Sequence, residues 1–272
     1  MSASITDATV RFGERTALDD VSIDFPAGTV VALVGGDGAG KSTLLRTLVR
    51  EVTPDTGDVS VPPKHEIGYL PAGAGSWAAL TVRQNLDFAG GVYGLSGEEL
   101  HSRREALIQR TGLAAAADRL ASALSGGMRR KLGAAMAMIH RPSLLVLDEP
   151  STGVDPVSRI ELWRMISEAA ADGASVAMST TYLDEAERAG TLVVLDSGHV
   201  LVRGSYDDVR AGFTGTITTG DRPIRSDWSW RRGRARHEYW PEAPDSDAYI
   251  IAPDLEDIVI ALSLSRRRED AR

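Results

Sequence analysis

Gly35-Gly36-Asp37-Gly38-Ala39-Gly40-Lys41-Ser42-Thr43 fits the spacing G-x-x-x-x-G-K-[ST], with Gly35 and Gly40 as the fixed glycines. Glycines in such a run let successive backbone N–H groups face one concavity, and a helix starting at its end adds the positive pole of its dipole. Gly36, Gly38 and Gly40 are read as the residues that curl the backbone; Asp37, Ala39 and Thr43 complete the loop. A chain of phosphates suits that concavity. The Lys41 ammonium would reach the β- and γ-phosphates, and the Ser42 hydroxyl would bind Mg²⁺. An ordinary glycine turn would leave unexplained why one of only three lysines in the chain stands here.

Two carboxylates end a second apolar run, Leu144-Leu145-Val146-Leu147-Asp148-Glu149. Asp148 is placed to hold Mg²⁺ through water, and Glu149 to orient or deprotonate an attacking water. A third stretch, Ser125-Gly126-Gly127, opens a helix with a serine cap and two glycines, and Arg129 and Arg130 stand just behind it. Two anion-accepting helix starts exceed the needs of one nucleotide. The second is therefore expected to serve a nucleotide held by another copy or a partner.

These groups need elements to hold them. Thr29 to Val34 reads as a buried strand and Ser42 to about Val52 as a helix, so the glycine loop lies between a strand and a helix start. Ahead of it, Ile5 to Phe12 and Ala17 to Phe25 read as antiparallel strands about the Gly13-Glu14 turn. Phe12 closes the first of them, where it either packs an edge or stacks on a purine. Leu144 to Leu147 is unbroken by polar residues, as expected of a central strand covered on both faces, and its carboxylates emerge at the end where open α/β sheets place ligands. Ile67 to Leu70 is another strand, followed by the loop Pro71-Ala72-Gly73-Ala74-Gly75, which has no polar side chain. Between Thr81 and Ala123 the pattern turns helical, with Ser96 read as a cap answered by Glu99. A hairpin is expected at Asp196-Ser197-Gly198-His199, and composition shifts near Phe213 into a tryptophan-containing tail.

The chain of 272 residues carries a formal charge of -8 and a pI near 5.2, which excludes a free-standing nucleic-acid binder that works by neutralising phosphates. It has no cysteine, hence neither a disulfide framework nor a zinc–cysteine site, and its five histidines show no ligand spacing. No signal peptide and no apolar run of membrane-spanning length is read, so a soluble chain with peripheral docking is expected.

Read together, Lys41, Leu124 to Met128 and Asp148-Glu149 resemble the nucleotide-binding subunit of an ATP-binding-cassette (ABC) transporter, over residues 3 to about 210. GGDGAGKST resembles the family's phosphate loop, LSGGM its signature with methionine at the usual glutamine, LLVLDEP its metal strand with the catalytic glutamate, and STGVDP its dimer-contact loop. Phe12 falls where an aromatic stacks on adenine. The tail, with Pro253-Asp254-Leu255-Glu256-Asp257, resembles the C-terminal extension of bacterial drug- and sodium-efflux ATPases of ABC-2 exporters.

The resemblance implies an α/β P-loop NTPase of ABC type: a mixed central sheet, an antiparallel N-terminal β subdomain, a helical insertion at about 76–140 within a cassette of residues 1–212, and a small β-rich extension over 213–272. It implies ATP and Mg²⁺ as cofactors. Gly35 to Thr43, Phe12 and, from the facing cassette, Ser125, Gly126 and Gly127 would bind the nucleotide, with Ser42 and Asp148 at the metal and Glu149 catalytic. Its implied partners are a second, head-to-tail cassette and a membrane permease, with no nucleic acid, at the cytoplasmic face of the bacterial membrane. Two positions depart from the family pattern. Ala72 stands where a glutamine contacts metal or water, and Thr181 where a switch histidine reaches the γ-phosphate; a hydroxyl does not replace an imidazole there. Nucleotide binding with slow turnover at the chain's own site, beside a competent partner cassette, is the expectation. A non-transport cassette acting on ribosome or nucleic acid, and a regulatory ATP-binding module with little turnover, stay as alternatives.

Overall fold

The structure, a computed structural model, describes residues 2–73, 75–244 and 248–270. Ala74 of the loop after the Ile67 strand lies outside them. Strands Ala3–Phe12 (β1) and Arg15–Phe25 (β2) pair antiparallel about the Gly13-Glu14 turn, as their alternation predicts. Val30–Val34 (β3) leads through the glycine loop into Lys41–Leu48 (α1), and Thr56–Ser60 (β4) returns to the free edge of β1. Helix α1 stops at Leu48, short of Val52, because Arg50 turns left-handed with φ 59°.

Ile67–Leu70 (β5) precedes the helical insertion, made of Val82–Val92 (α2) and Gly97–Arg110 (α3), followed by Gly126–Met138 (α4). Leu144–Asp148 (β6), Pro156–Ala171 (α5), Ser175–Ser179 (β7), Leu183–Ala186 (α6), Thr191–Asp196 (β8) and His199–Gly204 (β9) complete a six-stranded sheet and its covering helices. Its order is β5-β6-β7-β3-β8-β9, parallel except for β9, which closes the Asp196–His199 hairpin antiparallel to β8. Tyr206–Gly212 (α7) then leads to a second antiparallel sheet of Thr216–Gly220 (β10), Ser229–Arg232 (β11), Ala235–Trp240 (β12) and Tyr249–Ile251 (β13), closed by Leu255–Asp270 (α8). Arg232 grips Asp254 at 2.7 and 2.8 Å, and His237 Nδ1 lies 2.8 Å from Asp257 Oδ1, fixing the start of α8 to this small sheet. The fold is thus an α/β P-loop arrangement with an N-terminal antiparallel sheet, a mixed central sheet, helical insertions and a small C-terminal β-rich sheet. The buried strand read at Thr29 to Val34 pairs in the parallel sheet, between β7 and β8.

Strand alternation divides the core. Val31, Leu33, Leu144 and Val146 face α1 and the β1–β2 sheet, while Ala32, Val34, Leu145 and Leu147 face the other helices. Every residue of β3, β6 and β7 is buried. No helix among the described residues is long and apolar enough to cross a membrane.

In the insertion, Ser96 makes no side-chain cap bond, and Glu99 pairs with Arg103 one turn on, at 2.6 Å. The capping box belongs to α2: Gln84 N donates to Thr81 Oγ1 at 3.2 Å and Thr81 N to Gln84 Oε1 at 2.9 Å. At the end of α4 the His140 ring stacks on Tyr93, with centroids 3.5 Å apart, and burial pushes its pKa down to about 4. The unfolded chain takes up this proton near pH 6.5, so between about 6.5 and 4 the unfolded state binds more protons and stability falls as pH falls. From pH 7 to pH 5 the loss at this residue is expected to be about 1–2 kcal/mol. Urea unfolding at both pH values should show that increment in the native chain and not in His140→Phe.

Candidate functional site

The strand–loop–helix unit forms as its sequence requires, with one exchange of roles among the glycines. Gly38 and Gly40 adopt φ 79° and 107°, the left-handed region that glycine enters freely. Gly35 is needed for space: a Cβ there would lie 2.2 Å from the Leu195 carbonyl oxygen of β8. Gly36, assigned to curling the loop, has open space around it and no left-handed φ, so Gly35 takes that place. Lys41, buried in the first turn of α1, lays its ammonium back across the loop and donates to the Gly35 and Gly36 carbonyls at 2.7 and 3.0 Å.

The loop floors a cleft of about 340 Å³ lined by Phe12, Arg15, Ala17, the 37–43 backbone and Glu149. Phe12 is half exposed at the mouth, free to present its ring. Arg15 was not singled out by sequence; its guanidinium donates to the Gly38 carbonyl at 3.5 Å. The hairpin could have found it, since a turn at Gly13-Glu14 makes Phe12 and Arg15 direct cross-strand partners.

At the end of β6, Asp148 is buried and accepts from Ser179 Oγ at 2.6 Å, and the same hydroxyl accepts from Glu149 N at 2.9 Å. One serine on the neighbouring strand thus fixes both acidic residues, because the β6–β7 register pairs Asp148 with Ser179. Glu149 is left-handed at φ 51°, a conformation that costs a non-glycine residue about 1 kcal/mol or more and persists only where neighbours enforce it. Its Oε2 accepts from Thr152 Oγ1 at 3.0 Å.

Arg130 is the second residue whose sequence reading changes. Expected behind an anion site with Arg129, it turns inward and is almost fully buried, donating to backbone carbonyls of residues 71–73 and of Asp148 and Glu149. Burial lowers its pKa, and the Asp148 and Glu149 carboxylates oppose that shift. Ala72 and Thr181 are both exposed, and neither lines the cleft.

Ser125 caps α4 by accepting from Met128 N at 3.3 Å. Gly127 packs so closely on the loop after β6 that a Cβ would lie 2.7 Å from the Gly153 carbonyl oxygen, which bars any larger residue. Ser125, Gly126 and Gly127 are absent from the lining of the cleft that holds Lys41 and Glu149. The cleft therefore gathers Phe12, the 37–43 segment and Glu149, and its lining includes neither Gly35, Gly36 and Asp148 nor the Ser125–Gly127 start of α4.

The groups present suit a magnesium-bound polyphosphate. The glycine loop leaves a concavity ahead of α1 with one buried ammonium, and the exposed Ser42 hydroxyl and the Asp148 carboxylate are the hard oxygen donors that Mg²⁺ prefers.

Comparison with known proteins agrees. The family described as ABC transporter matches residues 18–152. Daunorubicin resistance ATP-binding protein DrrA3 of Streptomyces coeruleorubidus is 34% identical over 230 residues, which cover 80% of this chain and 71% of that protein. This chain belongs to the ABC transporter family. The ABC transporter ATP-binding protein YbhF of Escherichia coli (strain K12) is 39% identical over 201 residues, 70% of this chain but 35% of YbhF, so this ABC cassette spans about a third of that relative's length. Among solved structures, the dimeric structure of MJ0796, a bacterial ABC transporter cassette, superposes with a TM-score of 0.69 over 75% of this chain and 98% of that one; at 21% identity it attests the fold.

Proposed function

We propose that this ABC cassette is the ATP-binding and slowly hydrolysing subunit of an exporter of the bacterial drug- and sodium-efflux type, docked on a separate permease at the cytoplasmic face of the membrane. Residues 1–212 form the cassette, with the helical insertion at about 76–140, and residues 213–272 an accessory extension. The observation that carries the reading is a phosphate cleft that gathers Phe12, residues 37–43 and Glu149 without the capped start of α4. Each half has groups that suit a phosphate, and we read the two as halves of sites shared between chains.

Lys41 and the 35–43 loop hold the phosphates of ATP, Phe12 stacks on the adenine, Ser42 and Asp148 hold Mg²⁺, and Glu149 orients or deprotonates water. Bound Mg²⁺ supplies charge neutralisation at the phosphates. Ser125, Gly126 and Gly127 serve the nucleotide of a second cassette, a reading supported by the dimeric assembly of the solved relative. The exporter assignment is supported by the drug-resistance relative. Half-exposed Trp77 and Phe88 pack edge to face on the insertion, offering an apolar face to a membrane subunit.

Ala72 and Thr181 remove the two polar side chains that would act on the γ-phosphate, so the pairing is with a more competent cassette. Copurification from detergent-solubilised membranes should recover a second cassette and a permease. An isolated homodimer turning over at about 1–10 per second overturns the asymmetric pairing. The double variant A72Q/T181H is expected to raise Mg²⁺-dependent hydrolysis about tenfold, below the usual contribution of a well-positioned proton-transfer group. An unchanged rate in that assay assigns the slow turnover to something other than these two positions.

A further inference from the structure

Arg130 occupies the second turn of α4 with 5% of its surface exposed. Its guanidinium divides its donors between two segments. Nη1 donates to the carbonyls of Pro71 at 2.7 Å, Ala72 at 3.1 Å and Gly73, all in the loop after β5. Nε donates to the Glu149 carbonyl at 3.0 Å, and Nη2 donates to that of Asp148. Strands β5 and β6 are neighbours, so these segments leave the sheet side by side, and one rigid planar group spans them. Among the described residues no carboxylate lies within salt-bridge distance of it.

We infer that Arg130 is a positioning residue that couples the 71–73 loop to the orientation of Glu149. Glu149 has its N–H fixed by Ser179 and its carbonyl fixed by Arg130, one on each side of a left-handed Cα. Those two anchors set the backbone from which its side chain departs, and Thr152 Oγ1 holds the carboxylate itself. A shift of the loop carbonyls turns the guanidinium, and the fork transmits the turn to the peptide that follows Glu149. The loop offers no polar side chain at Ala72, so its backbone is what the site senses. The link rests on the proposed role of Glu149 in hydrolysis, but its geometry does not.

Two variants test it, Arg130→Lys and Arg130→Gln. Neither reproduces the fork: lysine has one nitrogen for both segments, and glutamine is too short to span them. In both, the single-turnover rate of Mg²⁺-ATP hydrolysis is expected to fall about tenfold while the ATP dissociation constant stays within about threefold, because the phosphate loop is held by β3 and α1 instead. Hydrogen exchange without nucleotide should quicken together in peptides covering 68–76 and 147–154 and stay unchanged across 30–48. A native hydrolysis rate, a parallel loss of affinity, or faster exchange in only one of the two segments overturns the coupling. If the native chain binds no ATP, the functional reading fails, and the exchange experiment still decides the link.

Discussion

A Glu149→Gln chain is expected to bind Mg²⁺-ATP with native affinity and to hydrolyse it about 10²–10³-fold more slowly, within the range that a positioned general base contributes. The substitution changes basicity and little else. Glutamine has the same shape, its amide oxygen can still accept from Thr152 Oγ1, and its backbone anchors at Ser179 and Arg130 do not involve the side chain. What disappears is an oxygen able to take a proton from water. The rate is read by single-turnover hydrolysis, the affinity by titration with a fluorescent ATP analogue, and the assembly by light scattering. If hydrolysis is what separates two cassettes, the variant should also retain ATP-bound dimers that the native chain loses within a turnover. Hydrolysis equal to the native rate would return Glu149 to the role of an acid at the start of the turn that Thr152 N closes on the Glu149 carbonyl.

The sheet and its phosphate loop were legible because they rest on local demands: apolar runs too long to be exposed, and glycines where a chain must curl or yield space. Local evidence also misassigned one of those glycines. The group that forbids a side chain at Gly35 is the Leu195 carbonyl, brought by a strand some hundred and sixty residues further on, whereas Gly36 looks equally special in sequence and meets nothing. The insertion shows the same limit with capping. Ser96 with Glu99 and Thr81 with Gln84 are both acceptable boxes, and the first is given up because Glu99 has an arginine one turn away. Arg129 and Arg130 are indistinguishable as letters. From Arg130 to Met138 every residue of α4 is buried, so helical phase could not mark which arginine turns inward; only the adjacency of β5 and β6 supplies the carbonyls that receive it. The apolar run Leu144 to Leu147 placed Asp148 and Glu149 at the end of β6, yet nothing in it pointed to Ser179, since a serine there becomes meaningful only once β6 and β7 are in register.

Lys41→Met should raise the ATP dissociation constant by about 30–150-fold, the equivalent of about 2–3 kcal/mol for a charge-assisted hydrogen bond to phosphate. Methionine keeps the apolar stem that α1 buries and removes only the ammonium, so packing is nearly conserved. The ammonium also holds the loop closed on itself through Gly35 and Gly36, and its removal leaves two carbonyls to be satisfied by water. Gly36 is exposed, which keeps that cost near the usual 1 kcal/mol for a hydrogen bond instead of the penalty of a buried orphan. Thermal unfolding without nucleotide should therefore change by only a few degrees, while the protection that ATP gives the native chain should vanish at concentrations that saturate it. These two readouts separate a damaged loop from a missing charge. A variant that melts early yet binds ATP natively would mean that Lys41 serves the fold, and that the phosphates are held by some other group of this chain.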